Sequence, residues 1–143
     1  MAQRKVLFPF EFGAESMWAD DLGNNRFRLD NVPLFAYGIS YGDEFTAQPR
    51  ENGLVFDHVI SHGGMFTYRV TFNEGLSRDS DAQRLLDEAK SHAYLNSQYG
   101  DEQFAFSVRS GDDRGLLEVA LEEGANRGFW DWELASGAED TVP

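Results

Sequence analysis

The chain has no cysteine in its 143 residues. Disulfides, thiolate metal sites and thiol nucleophiles are therefore excluded, which fits a reducing compartment. Positive charge is scarce as well, with 12 Lys and Arg against 25 Asp and Glu and a formal charge of −13. Each phosphate contact of a nucleic-acid binder needs a cation, and a field of this sign repels a polyanion. Direct nucleic-acid binding is not expected. Long apolar runs are missing too: the stretch after Arg4 and Lys5 is broken by Pro9, Glu11 and Glu15. It falls short of the roughly 7–15 apolar residues of a secretory signal and the roughly 20 of a spanning helix. The expectation is a cytoplasmic protein with no membrane partner.

What the chain does have is material for a core. It carries 12 Phe, 5 Tyr and 3 Trp, an aromatic content that acidic disordered chains lack. A chain of this length is ordinarily one domain and buries roughly two-thirds of its unfolded surface. Val6, Phe8, Phe10 and Phe12 alternate through Pro9, which predicts a first strand with one aromatic face, at an edge or with a bulge at the proline. Residues 16–19 and 26–30 flank Gly23, Asn24 and Asn25 as a hairpin, since Asn and Gly tolerate the left-handed backbone of such turns. Residues 31–38, bracketed by proline and glycine, read as a packed bend, and residues 44–47 and 54–60 as short strands. Residues 1–62 therefore read as a β-rich, barrel-like subdomain of five or six strands.

Residues 65–72 alternate strongly, and Ser80 is expected to cap a helix apolar at Ala82, Leu85, Leu86 and Ala89. Residues 103–109 make another alternating strand. Asp112 and Asp113 are expected to cap a second helix with Leu116, Leu117, Ala120 and Leu121 apolar, before a final strand over residues 129–134. The fold class expected is α+β. Residues 63–143 form a ferredoxin-like β-α-β-α-β half with both helices on one sheet face. No linker separates the halves, so one continuous unit is favoured over two free domains.

Three segments carry a resemblance: residues 28–43 after Trp18, residues 61–70, and residues 128–133. The sharpest is the Leu-Asp-Asn-x-Pro-x-Phe-Ala-x-Gly-x-Ser-x-Gly-Asp order of residues 29–43. Together they resemble a bacterial family of small soluble proteins, domain of unknown function number 4265. The resemblance implies an α+β fold and a bacterial cytosolic setting. It carries no catalytic role onto any residue here.

Within the block, Gly38-Ile-Ser-Tyr-Gly42 matches a nucleophile elbow letter for letter. It lacks the strand-turn-helix setting that such an elbow requires. His58, His62 and His92, with Asp57 and Asp43, suggest a metal or proton-relay set, but a four-residue interval in a strand spans about 13 Å. Satisfied or surface histidines are expected, with no metal and no cofactor. The enzymatic alternative is a small hydrolase using Ser40, Asp43, His62 and Arg69.

Acidic residues mostly come as adjacent pairs, as in Asp112-Asp113, Glu122-Glu123 and Glu139-Asp140, and neighbours in sequence face apart. Their distribution is more informative. Residues 101–143 carry −8 of the net charge and residues 1–100 carry −5. The candidate partner-binding set is Glu118, Glu122, Glu123, Trp130, Asp131 and Glu133, joined by Tyr37, Tyr41 and Asp43 of the central loop. Acids beside aromatic anchors suit a basic protein partner, although solubility and core packing explain the same residue types more plainly. The expected function is a bacterial cytosolic binding protein. In its most concrete form it is an immunity protein that occludes a basic toxin acting on nucleic acid or the translation machinery.

Overall fold

A computed structural model describes residues 2–137; the acidic pair Glu139 and Asp140 lies outside the described residues. The chain is a mixed α+β protein, mostly strand, with two helices and two sheets among those residues. The first sheet holds β1 (Gln3–Phe10), β2 (Gly13–Gly23), β3 (Arg26–Leu29), β4 (Glu44–Arg50) and β5 (Gly53–Ser61). Consecutive strands pair antiparallel, and β1 pairs β5 in parallel at Val6↔Leu54 and Leu7↔Val55, so the sheet closes on itself. Alternation puts Val6, Phe8, Met17, Ala19, Phe27, Leu29, Phe45 and Ala47 inside the ring. There Phe8 packs its ring 5.2 Å from Phe45 and 5.0 Å from Phe56.

Pro9 sits beyond the two residues of β1 that meet β5 and pairs only with Ala14 of β2, so its missing N–H breaks no second ladder. Strand β1 stops at Phe10. Phe12 lies in the following turn and is 88% exposed, which corrects the expectation that it is the third aromatic on the face of that strand. Asn24 and Asn25 take φ of 57° and 60° in the β2–β3 turn, the left-handed backbone expected there.

The second sheet holds β6 (Met65–Phe72), β7 (Leu95–Tyr99), β8 (Gln103–Arg109) and β9 (Trp130–Ser136) in the order β7-β8-β6-β9. Helix α1 (Ser80–His92) lies between β6 and β7 in sequence, and α2 (Asp112–Asn126) between β8 and β9. Phe66, Tyr68, Val70 and Phe72 of β6 share a core with Phe104, Phe106, Val108 and the apolar stripes of both helices. One sheet face therefore carries both helices. Asp79, one residue before the expected cap, accepts the backbone N–H groups of Asp81 and Ala82 at 3.0 Å. Asp112 and Asp113 do not cap α2; they occupy its first turn behind Gly111, where carboxylates favour the positive end of the helix dipole. Strand β7 was not expected. Its sequence, Leu-Asn-Ser-Gln-Tyr, is polar because it is an edge strand with one neighbour.

Gly124 explains how α2 approaches β9. A Cβ there would lie 2.1 Å from two ring carbons of Trp130. That indole is pinned: Nε1–H donates to the Leu121 carbonyl at 2.9 Å and the ring meets Phe72 edge to face at 5.2 Å. Gly124→Ala is expected to lose about 3 kcal/mol of stability through overpacking, whatever its gain in helix propensity. Urea denaturation measures this, and an unchanged midpoint refutes it.

Candidate functional site

The segment 30–43 has no regular structure, yet it lies between the two sheets as a strap. Buried irregular backbone needs a partner for every polar group, and both sheets supply them. From the first sheet, half-buried Glu15 on β2 accepts the N–H groups of Leu34, Phe35 and Ala36 at 2.7, 3.0 and 3.0 Å. The helix-free face of the second sheet donates to the carbonyls. Ser97 Oγ reaches Val32 at 2.8 Å, Gln103 Nε2 reaches Leu34 at 3.4 Å, and Arg69 Nη1 reaches Ala36 at 2.8 Å. Between these bonds Ala36 and Ile39 drop into the core of the ring. Gly38 and Gly42 take φ of +77° and +85°, which L side chains rarely adopt.

Asp43 closes the strap. Its carboxylate is fully buried and accepts the Ser40 N–H at 2.8 Å, the Gly63 N–H at 2.7 Å and His62 Nδ1–H at 3.1 Å. The Gly63 bond demands contact: a Cβ at Gly63 would sit 2.7 Å from the Gly42 carbonyl oxygen. Burial pushes the Asp43 pKa above its ordinary 3.8, and the two backbone bonds and His62 pull the other way. Ser40 Oγ turns from His62 to Thr67 Oγ1, 2.6 Å away. Beside Thr67 across the sheet, Ser107 and Ser136 are buried with no partner for their hydroxyls among the described residues.

Arg69 is 3% exposed; its guanidinium lies 4.3 Å from the Tyr37 ring centre and its Nε 3.4 Å from Glu133. Tyr37 OH donates to the same Glu133 carboxylate at 2.9 Å. Of the four-residue hydrolase set, the side chains of Asp43 and His62 meet, while those of Ser40 and Arg69 spend their polar atoms elsewhere. Among the described residues no cluster of three or more metal-ligating side chains occurs, and no helix is long and apolar enough to cross a membrane.

The acidic set divides over two faces. Glu118, Glu122 and Glu123 lie on α2, whereas Asp131 and Glu133 pair with Thr71 and Arg69 on the helix-free face. Trp130 and Asp43 are corrected outright as partner contacts, since both are interior. Trp132 packs against the helix-side core. Tyr37 is 65% exposed, and Tyr41 is half-buried with its ring 5.9 Å from Tyr94. Glu118 accepts a short hydrogen bond from Tyr68 OH, to which Arg114 Nε donates at 2.7 Å. Burial and the Glu118 acceptor push the Tyr68 phenol up to about 12. In the sequence Glu15 reads only as a break in the apolar stretch; its one further signal is that it is the single carboxylate among the apolar or small residues 12–19.

A two-layer α+β unit clasped by a polar strap is the class this geometry defines. The chain belongs to the family described as domain of unknown function (DUF4265), which it matches over residues 15–132. Its fold is similar to that of a hypothetical protein from Neisseria gonorrhoeae known from a crystal structure. The two share 15% identity and a TM-score of 0.74, over 95% of this chain and 96% of that one. No curated protein matches the chain.

A raised folded-state pKa means the native protein holds the Asp43 proton more tightly than the unfolded chain does. The contribution of Asp43 to stability is then complete below about pH 3.8 and is lost as pH rises through the folded value. Carbon NMR titration of the Asp43 carboxyl is expected to give a midpoint above 3.8. Relative to Asp43→Asn, the wild type should lose stability as pH rises above 3.8; the opposite slope contradicts the assignment.

Proposed function

We propose that the protein is a non-catalytic binding module that engages a basic protein partner through the exposed face of α2. One observation carries this reading. Leu116 and Val119, 49% and 66% exposed, stand on the outer face of α2 among exposed Asp112, Asp113, Glu122 and Glu123. A helix serving only the core shows polar residues on its outer face. Apolar side chains ringed by acids offer contact area together with attraction for a cationic surface, and the −13 charge of the whole molecule speeds the encounter. In its specific form the partner is a basic toxin domain and the protein its cytoplasmic immunity protein. The strand order and the β-α-β-β-α-β sequence of elements support reading residues 63–143 as ferredoxin-like, and the closed first sheet supports a small barrel over residues 1–62.

The hydrolase alternative keeps one supporting observation, the Asp43–His62 pair. The Ser40 hydroxyl is bonded to Thr67, so neither member of that pair is its hydrogen-bond partner as a nucleophile's base would be.

Affinity capture from a bacterial host is expected to retain a basic protein. Glu122→Lys with Glu123→Lys, or Leu116→Ala with Val119→Ala, should each weaken binding about tenfold or more. Raising salt from about 0.05 to 0.5 M should weaken the wild-type complex as well. Retention that ignores salt and all four substitutions eliminates this surface.

A further inference from the structure

On the helix-free side the strap leaves a cavity that the core does not use. About 550 Å³ opens between the β1–β2 turn, the strap and strands β6, β8 and β9. That is within the roughly 300–1,000 Å³ of small-ligand sites, which favour junctions between structural units. Four of its lining residues are aromatic: Phe10, Phe12, Phe35 and Tyr37. Phe10 and Phe35 stack with centres 5.4 Å apart. Phe12 and Tyr37 project at the mouth, and the turn that holds Phe12 needs no large apolar side chain.

The charges of the lining decide which ligand suits it. Glu11 and Glu133 are the carboxylates and Arg69 the one cation on this wall. Arg69 is already committed to the Ala36 carbonyl, the Tyr37 ring and Glu133. Glu11 is exposed and forms no hydrogen bond or ion pair with any described residue. The open valence of the cavity is therefore an anion beside aromatic faces, on a molecule of strongly negative charge. Aromatic faces attract cations through their ring quadrupole, most strongly where water is excluded. An anionic ligand would have to displace Glu133 from Arg69 and approach Glu11; a cation meets neither penalty. Arg69, held at the floor, would repel a cationic head and favour its lying nearer Glu11, where Pro9 and Leu34 offer apolar surface to a stem.

We propose that this cavity is a binding site for an organic cation, a guanidinium or alkylammonium head on an apolar stem. The head comes either on a free small molecule or on an arginine or lysine side chain of a peptide. The site lies on the sheet face opposite α2 and stands whether or not the reading of α2 holds.

Titration of labelled protein with Nα-acetyl-arginine amide, followed by amide NMR, tests this. Saturable shifts confined to residues 10–12, 34–37 and 133 are expected, with a Kd of about 1 mM or tighter. Nα-acetyl-citrulline amide, the neutral isostere, and benzoate, an aromatic anion, should bind at least about threefold more weakly. Glu11→Gln and Phe12→Ala, both at exposed positions and checked for native spectra, should each weaken the arginine probe about three- to tenfold. A glycine-flanked arginine pentapeptide separates the two sources: about tenfold tighter binding than the capped residue assigns the site to a peptide, and equal binding assigns it to a free cation. Citrulline or benzoate binding as well as arginine, shifts elsewhere on the surface, no saturation, or indifference to both substitutions overturns the proposal.

Discussion

The structure depends on satisfying a stretch of backbone that belongs to neither sheet. Fourteen strap residues, 30–43, cross between two layers where water cannot serve all their polar groups, and an unpaired buried amide costs about 1–3 kcal/mol. The first sheet answers with one carboxylate, Glu15, that accepts three consecutive N–H groups. The second sheet answers with Ser97, Gln103 and Arg69 on alternate carbonyls. The ordered block at residues 29–43 follows from this arrangement. Ala36 and Ile39 fill the ring, Gly38 and Gly42 supply the left-handed turns, and Ser40 and Asp43 fasten the far end.

This accounting also changes how the chemistry-bearing residues are read. Ser40, Asp43, His62 and Arg69 have the composition of a hydrolytic site, and three of them are buried at the strap. Their polar atoms are consumed in holding backbone together: Asp43 by two amides and an imidazole, Arg69 by a carbonyl, a ring and a carboxylate. The large apolar side chains left exposed beside acids lie elsewhere, Leu116 and Val119 on the outer face of α2 and Phe12 and Tyr37 at the mouth of the aromatic cavity. Both are places where apolar surface meets negative charge.

Strong periodicity made much of the fold legible in the sequence. Residues 65–72 and 103–109 alternate because one sheet face is covered by helices, and Ala82, Leu85, Leu86 and Ala89 repeat because α1 buries one stripe. Strand β7 was hidden because an edge strand buries too little to impose a pattern. Phe12 was misplaced because alternation does not announce where a strand ends. The acidic surface was half legible: the charge bias was plain, but register alone sends Asp131 and Glu133 to one side of β9 and Trp130 and Trp132 to the other. Glu15 and the Ser40–Thr67 contact join residues far apart in the chain, and no local rule pairs them.

The strap also ties the first half of the chain to its last described strand. Gly38 N–H bonds to the carbonyl of Ala135, in the last described strand, and Tyr37 bonds to Glu133 beside it. Ala36 and Ile39 seat in the ring of the first sheet, yet the carbonyls of Val32, Leu34 and Ala36 find their donors only on the second. Long-range contacts of this kind are slow to close, and until they form the strap's backbone groups lack their partners. The strap's hydrogen bonds are thus complete only with β9 in place, so the first half of the chain and its last described strand depend on each other.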